Sequence, residues 1–247
     1  MYPILFKLGP FTVYTYGFFI FLGILFGYMA IAKEAVKRGI DRNVFSTIIF
    51  WTVIFGFLGA KILYILIEFN YFLKEPLSMI RSGFVFYGGV ISGITALYFL
   101  ARKQEIKFLK LADITVVGLT LAHAFGRLGC FFYGCCYGRP TNSFIGVLFP
   151  PDSPAGYLGV KLIPVQLISS FFLFLLFLVL LRLKQHKKFD GQITLYYIFL
   201  YSIFRFIIEF FRGDPRGMIF SLSTSQFISL ILIVISIFFW IALRRRS

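Results

Sequence analysis

Few ionisable side chains lie inside the apolar segments of this chain, and their types suit the binding of an anion. They include Lys61, His123, Arg127, Arg205 and Glu209, with Arg212 at a segment end. An ionisable residue within an apolar span is costly in free energy and marks a candidate functional site. Because arginine binds phosphate through two parallel hydrogen bonds, the arginines predict a site for a phosphate-bearing ligand.

Helical spacing sorts the candidate residues into two groups. Arg205, Glu209 and Arg212 stand at i, i+4 and i+7, which places them on one helix face. His123 and Arg127 stand at i and i+4 of another helix. A glutamate in such a stripe can hold an arginine in place for a ligand. It can equally form an ion pair between helices that has no chemical role, and the charges alone leave both interpretations open.

Three cysteines lie close together in the sequence, at Cys130, Cys135 and Cys136. Adjacent cysteines do not easily bind one tetrahedral zinc ion together, and the nearby His123 lies two helical turns before Cys130. We therefore expect no metal site and no cofactor, and interpret the cysteines as small buried apolar residues.

The segments that hold these residues are long enough to span a membrane. The chain has 247 residues, of which 59% are hydrophobic and 14% charged. A soluble domain of this size cannot bury so much apolar surface, whereas a bilayer can. A net charge of +15 would suggest nucleic acid for a soluble protein. Here the positive charges lie between apolar segments, so no nucleic-acid partner is expected.

The apolar stretches predict an all-α polytopic membrane protein with seven transmembrane helices. They run at about 14–32, 44–67, 83–101, 112–133, 164–183, 191–211 and 222–243. Basic residues cluster after the first, third, fifth and seventh stretches: Lys33, Lys37, Arg38 and Arg42; Arg102, Lys103, Lys107 and Lys110; Arg182, Lys184, Lys187 and Lys188; Arg244, Arg245 and Arg246. The positive-inside rule then predicts an outside (periplasmic) N-terminus and a cytoplasmic C-terminus.

One domain over residues 1–247 is the simplest organisation, since the sequence shows no convincing repeat and no linker. A loop region at about 134–163 falls on the extracytoplasmic side. It is rich in Gly and Pro, which predicts turns and short extended pieces. The charges lie near one interface and not at the midplane, which disfavours a transporter.

Residues 126–141 resemble the signature of the prolipoprotein diacylglyceryl transferases, in a cysteine-containing variant. Residues 87–93 and 205–212 also resemble segments of this family, and Tyr16 resembles its N-terminal tyrosine. The resemblance extends from about residue 10 to about residue 215. It implies a bacterial enzyme that transfers the diacylglyceryl group of phosphatidylglycerol to the lipobox cysteine thiol of prolipoproteins and releases glycerol phosphate.

The resemblance also implies partners, a location and a set of site residues. The partners are phosphatidylglycerol, a prolipoprotein signal peptide with its lipobox cysteine, and membrane lipids. The location is the bacterial cytoplasmic (inner) membrane, with the site facing the outer leaflet. The expected catalytic residues are Arg127, Arg205, His123, Tyr87 and Glu209, and the expected substrate-binding residues are Tyr16, Gly88, Gly89, Gly138, Arg212 and Gln166.

Three departures from the family pattern leave an alternative open. Tyr87 stands where many members carry histidine, and Lys61 stands where arginine is common. Residues 163–169 keep Pro164 and Gln166 but lack the histidine, tyrosine and glutamate of the family. The alternative is therefore a catalytically divergent member that binds phospholipid without transfer.

Overall fold

The computed structural model describes residues 3–9, 11–81, 83–215 and 217–245, and it is mostly helical. Arg246, which entered the charge pattern, lies outside the described residues. The elements in chain order are β1 (Ile4–Leu8), β2 (Phe11–Tyr14), α1 (Thr15–Lys37), α2 (Arg42–Ile67), α3 (Phe69–Lys74), α4 (Pro76–Arg81), α5 (Phe86–Lys103), α6 (Phe108–Tyr133), α7 (Val165–Leu183), α8 (Gln192–Glu209), β3 (Met218–Ile219), β4 (Leu222–Ser223) and α9 (Thr224–Arg244). Each predicted apolar stretch forms one long helix.

Six of these helices are long and apolar enough to cross a bilayer within the part of the chain that the structure describes. They are α1, α2, α6, α7 with the turn that follows it, α8 and α9. The third predicted span corresponds to α5, which has 18 residues and ends on Arg102 and Lys103. The protein is thus a multi-pass helical membrane protein, while the crossing by α5 and the orientation of the termini stay predictions.

The chain divides into two compact units, with boundaries inside α1 and α6. The first unit comprises Met1–Ile31 and Asp113–Ser247, and the second comprises Ala32–Ala112. The single domain over residues 1–247 stays a prediction.

In the first unit, α1 packs directly on α6 through glycines. A Cβ atom on Gly27 would lie 2.6 Å from the carbonyl oxygen of Gly118. A Cβ on Gly118 would lie 2.7 Å from the carbonyl oxygen of Gly27. The two backbones can approach this closely only because neither residue has a side chain.

Aromatic and polar contacts continue the packing from α6 to α9. The Ser170 hydroxyl on α7 donates to the Ala124 carbonyl on α6 over 2.9 Å. Phe172 on α7 stacks on Phe204 of α8 at a centroid distance of 3.9 Å. Tyr196 of α8 meets Trp240 of α9 at 4.7 Å. These contacts place α8 between α7 and α9.

A buried carboxylate ties α6 to the start of α8. Asp113 accepts hydrogen bonds from the Gly191 amide at 2.8 Å and from the Thr194 amide at 2.9 Å. Lys187 lies 2.9 Å from the same carboxylate. An anion is stabilised at a helix N-terminus, where the backbone N–H groups lack partners within the helix. Asp113 therefore fixes the register between two helices that carry the candidate site at their other ends.

The segment at 134–163 forms no long helix and is held by isolated bridges, as its Gly and Pro content predicts. Leu162 pairs with both Pro140 and Val147, and Gly138 pairs with Arg212. Within the segment, Tyr137, Phe149, Ala155 and Leu162 form a small apolar core. The segment is therefore packed around its own core, and it contacts the residues that follow α8.

The second unit is built on the contact between α2 and α5, which again depends on glycines. A Cβ on Gly88 would clash with the Gly59 carbonyl oxygen, and a Cβ on Gly89 would lie 3.2 Å from that of Gly56. Lys61 on α2 donates to the Gly83 carbonyl over 2.8 Å. Its role within this unit is to hold the segment that precedes α5.

Candidate active site

The candidate site begins at the end of α6, where a Schellman motif closes the helix. Gly134 has a φ of +80°, and the Cys135 amide donates to the Cys130 carbonyl over 3.1 Å. The Gly134 amide donates to the Phe131 carbonyl over 3.2 Å. In this motif the residue after the glycine contacts the residue five positions before it. The motif therefore brings Cys135 back onto Cys130.

The next residue extends this cluster to three thiols. Cys136 has a φ of +61°, a left-handed conformation that is uncommon for a residue with a Cβ. The sulfur atoms of Cys130, Cys135 and Cys136 all lie within 4.8 Å of one another. The adjacent residues Cys135 and Cys136 thus hold their sulfurs close together, and the expectation that the cysteines bind no metal stays a prediction. We call these three residues the thiol cluster.

Arg127 lies one helical turn before the thiol cluster and is partly buried. Its guanidinium hydrogen-bonds with Tyr201 on α8 and interacts electrostatically with Cys130 and Cys136. Among the residues that the structure describes, no carboxylate pairs with Arg127. Its charge is therefore available to an anionic ligand.

His123 lies one turn before Arg127 and packs among tyrosines of α8. Its Nδ1 atom is 3.5 Å from the Tyr197 hydroxyl, and its ring meets that of Tyr201 at a centroid distance of 5.1 Å. Electrostatic interactions connect His123 to Arg127 and Arg205. The structure thus brings together His123, Arg127 and Arg205, which the sequence had placed on two separate helices.

Arg205 is held from two sides within the first unit. Its Nη2 atom lies 2.7 Å from the Glu209 carboxylate, one helical turn further along α8. The same atom donates to the Ser225 hydroxyl of α9 over 2.8 Å. Glu209 was predicted to hold an arginine of its helix face in place, either Arg205 or Arg212. The structure shows that it contacts Arg205.

Arg212 does not share the helix face of Arg205, because α8 ends at Glu209. It lies in the following turn and forms two parallel hydrogen bonds of 2.8 Å to the Asp214 carboxylate. Burial alone would lower the pKa of Arg212, but the bonds to Asp214 hold its pKa above the ordinary value. Arg212 therefore stays charged, and it interacts electrostatically with Cys136.

Gly138 and Gln166 connect the segment after α6 to this site. A Cβ on Gly138 would lie 2.5 Å from the Ile163 carbonyl oxygen and 2.9 Å from that of Phe211. Gly138 thus lets the strand-like segment lie against the chain beside Arg212. Gln166 is 1% exposed and donates from Nε2 to the Cys135 carbonyl over 2.7 Å. Both contacts have a structural role, and substrate binding by either residue stays a prediction.

Tyr16 on α1 completes the part of the site that lies in the first unit. It interacts electrostatically with the three cysteines and with Arg127. Its ring lies 6.3 Å from that of Tyr133, at the end of α6. The sequence had connected Tyr16 to the site only by resemblance, and the packing of α1 on α6 supplies the physical reason.

Tyr87, Gly88 and Gly89 lie in the second unit, at the start of α5. Tyr87 is 42% exposed. A Cβ on Gly88 would clash with the Gly59 carbonyl oxygen of α2, and a Cβ on Gly89 would make a tight contact with that of Gly56. Close helix packing therefore accounts for both glycines, and the roles of the three residues in catalysis and substrate binding stay predictions.

The site contains an unbalanced positive charge in a largely apolar environment. Three guanidinium groups, of Arg127, Arg205 and Arg212, are matched by two carboxylates, of Glu209 and Asp214. Arginine groups held in fixed positions can bind a phosphate and stabilise charge that develops on it. The arrangement suits a reaction in which a phosphate ester is the leaving group.

Comparison with known proteins identifies the family. The chain matches the family described as prolipoprotein diacylglyceryl transferase over residues 3–242. This chain belongs to the prolipoprotein diacylglyceryl transferase family. The resemblance seen in residues 126–141 is thereby confirmed.

Several relatives in this family match over nearly their whole length. The phosphatidylglycerol--prolipoprotein diacylglyceryl transferase of Clostridium tetani (strain Massachusetts / E88) is 41% identical over 240 residues, covering 96% of this chain and 96% of the relative. Transferase 2 of Clostridium perfringens (strain 13 / Type A) is 43% identical over 225 residues, covering 90% and 88%. The Clostridioides difficile (strain 630) protein is 34% identical over 229 residues, covering 92% and 89%.

For this family member, sequence reasoning missed the groups that hold the charged residues. They are Tyr197, Tyr201, Asp214 and Ser225. Tyr197 and Tyr201 precede Arg205 at intervals of four, so the stripe on α8 could have been extended towards its N-terminus. No comparable signal marks Ser225, because its contact depends on how α9 packs against α8.

Proposed function

We propose that this protein transfers the diacylglyceryl group of phosphatidylglycerol to the lipobox cysteine thiol of prolipoproteins and releases glycerol phosphate. Membership of the family and the names of its relatives support this proposal. The observation that carries it is Arg127, an arginine in an apolar helix that no carboxylate neutralises among the described residues. A lipid phosphate supplies the missing negative charge.

The bond that breaks joins a glycerol carbon to a phosphate oxygen, and the attacking thiol forms a carbon–sulfur bond at that carbon. The electron pair of the broken bond leaves on the phosphate oxygen. Groups that stabilise a charge that develops in the transition state are the most effective catalysts. Arg127 binds the phosphate, and Arg205, held by Glu209 and Ser225, stabilises the developing charge.

The nucleophile comes from the substrate and must lose a proton. His123 is the candidate base, because its imidazole can accept a proton and it lies one helical turn from Arg127, in the same site. Tyr87 is the alternative, as a hydrogen-bond donor or proton relay. An assay of His123→Gln beside Tyr87→Phe distinguishes them, since loss in only one variant assigns the role.

The predicted topology gives both substrates a route to the site. With seven crossings and an outside N-terminus, the end of α6 and the segment at 134–163 lie at the outer leaflet of the bacterial cytoplasmic membrane. Phosphatidylglycerol and the signal peptide then enter sideways from the membrane. The segment at 134–163 covers the reacting groups and excludes water, which would otherwise compete with the thiol.

The experiment that tests this function is a transferase assay on the purified protein in liposomes. It offers phosphatidylglycerol and a lipobox peptide, and it follows both peptide lipidation and the release of glycerol phosphate. Arg127→Ala is expected to lower the rate by roughly 100-fold or more, as loss of one charge-stabilising donor costs about 10²–10³ in rate. The matched control is Arg102→Ala, which removes an exposed arginine at the end of α5 and should leave the rate unchanged.

A folded wild-type protein that binds phosphatidylglycerol but gives no lipidated peptide would contradict the proposal. That result would favour the divergent phospholipid binder, which the family relatives do not favour. An Arg127→Ala protein with full activity would remove the phosphate-binding role from this residue.

A further inference from the structure

The transfer reaction proposed above assigns no role to the thiol cluster, although the fold brings its three sulfur atoms close together. The Schellman motif places Cys135 on Cys130, and the left-handed backbone of Cys136 adds the third sulfur. A left-handed conformation costs free energy at any residue that has a Cβ. A role in packing alone does not explain this free-energy cost at Cys136. A glycine at position 136 would adopt the same backbone conformation without it.

The separation of the three sulfurs matches the size of a thiophilic metal ion. A tetrahedral zinc ion with bonds of about 2.3 Å holds its sulfur ligands roughly 3.8 Å apart. The sulfurs of the thiol cluster lie within 4.8 Å of one another, which is close to the spacing that one ion requires. The sequence argued against a shared ion because Cys135 and Cys136 are adjacent, but their sulfurs lie close together in the structure.

The charges around the thiol cluster complement a metal–thiolate centre. Three thiolates and one Zn²⁺ ion carry a net charge of −1. Arg127 and Arg212 both interact electrostatically with Cys136, so two cations face this charge. Cys130 is buried, whereas Cys135 and Cys136 are partly exposed.

Three protein ligands leave one position of a tetrahedral ion open, which is the pattern of catalytic zinc sites. In the described residues, the cluster of three groups with ligand spacing contains only these cysteines. His123 lies two turns away and contacts Tyr197 and Tyr201. The open position is therefore left for an external ligand.

We propose that Cys130, Cys135 and Cys136 bind Zn²⁺ and that the open position takes the thiol of the substrate cysteine. This inference rests on the proposed function. The substrate thiol releases its proton to solvent or to His123 on binding, because a metal ion stabilises the thiolate. The sulfur electron pair then forms the bond to the glycerol carbon, and the carbon–oxygen bond breaks towards the phosphate at Arg127. The thioether product is a weaker ligand and leaves, while zinc stays in the same oxidation state.

Metal content is the first measurement, and it is independent of activity. The purified protein is reduced, loaded with ZnCl₂ under anaerobic conditions, desalted and analysed for zinc. We expect one zinc ion per chain, and none in the triple Cys130→Ser/Cys135→Ser/Cys136→Ser variant. His186→Ala is the matched control, since it removes a histidine outside the site and should keep the zinc. Replacement by Co²⁺ should give sulfur-to-cobalt charge-transfer absorption in the wild type alone.

The transferase assay then tests the role of the metal in the reaction. Removal of zinc with a chelator should lower the rate by roughly 100-fold, since activation of a nucleophile by proton removal is worth about 10²–10⁴. Added ZnCl₂ should restore it. A metal-free protein that transfers at the full rate would overturn the inference and leave the proposed function intact. A protein that binds zinc at the thiol cluster but lipidates no peptide would overturn the proposed function instead.

Two further outcomes would also overturn the inference. One is a reduced, folded protein that binds no zinc at the thiol cluster. The other is a disulfide among the three cysteines, seen as the loss of two hydrogens in the intact mass of an active protein.

Discussion

At the scale of single residues, the three arginines of the site differ in what neutralises them. Arg212 is matched by Asp214, and Arg205 is matched by Glu209. Arg127 hydrogen-bonds with Tyr201, and among the described residues no carboxylate pairs with it. Since no carboxylate there compensates the guanidinium charge, Arg127 is the arginine at which a ligand phosphate gains most.

The two partners of Arg205 should contribute unequally to catalysis. Glu209→Gln keeps the size of the side chain but removes the charge of the pair, and hydrogen bonds to charged groups contribute about 1.5–3 kcal/mol. We expect Glu209→Gln to lower kcat/KM by roughly tenfold to 100-fold. Ser225→Ala removes only the neutral partner and should cost less. Steady-state kinetics with phosphatidylglycerol and a lipobox peptide measure both.

Equal losses in the two variants would contradict this ranking, provided that both proteins elute as the wild type does in size-exclusion chromatography. Full activity of Glu209→Gln would show that Ser225 alone positions Arg205.

The residue scale also shows how far the sequence could predict the site. The interval of four residues correctly paired Arg205 with Glu209, because both lie on a regular helix. The interval of seven was misleading for Arg212, because α8 ends at Glu209 and the next residues turn. The thiol cluster needs the helix end at Gly134 as well as the spacing, so a reading of spacing alone missed it.

At the scale of elements, the long helices follow from the apolar runs, and their contacts follow from the glycines. The predicted stretch 112–133 became α6 (Phe108–Tyr133), and 164–183 became α7 (Val165–Leu183). The hairpins β1–β2 and β3–β4 were not predicted, since such short paired strands carry too few residues for a visible alternation. The sequence also does not show which glycine of a helix contacts a neighbouring helix, because that depends on how the helices pack.

Two glycines of α6 give a direct test of that packing. Gly118 meets Gly27 of α1, so an alanine Cβ there would lie 2.7 Å from a carbonyl oxygen. Gly126, two turns further along the same helix, has nothing within 4 Å of a Cβ. Overpacking typically costs about 1–3 kcal/mol, so Gly118→Ala should lower the thermal unfolding temperature in detergent by several degrees.

Gly126→Ala is the matched control, because it makes the same substitution in the same helix. It should keep or slightly raise the unfolding temperature, since alanine is the better helix former. If both variants unfold together with the wild type, the close contact between α1 and α6 is not part of the folded protein.

At the scale of the whole molecule, α5 decides how many times the chain crosses the membrane. The six helices that meet the length and hydropathy of a span would place both termini on the same side. A crossing by α5 would place them on opposite sides. Arg102 and Lys103 end α5, and Lys107 and Lys110 follow them. Cytoplasmic loops are enriched in such residues, so the charges favour a crossing that ends in the cytoplasm.

Reporter fusions test this prediction at the point where the two topologies diverge. A fluorescent protein that matures in the cytoplasm, or an alkaline phosphatase whose disulfides form only outside it, is joined after Gln104, after Ser143 and after the C-terminus. Seven crossings predict fluorescence after Gln104 and at the C-terminus, and phosphatase activity after Ser143. If α5 stays on the outer side, phosphatase activity appears after Gln104 and at the C-terminus, and fluorescence appears after Ser143. That pattern would put the end of α6, with Arg127 and the thiol cluster, on the cytoplasmic side. Because the proposed reaction needs these residues at the outer leaflet, the fusion after Ser143 tests the location of the site together with the topology.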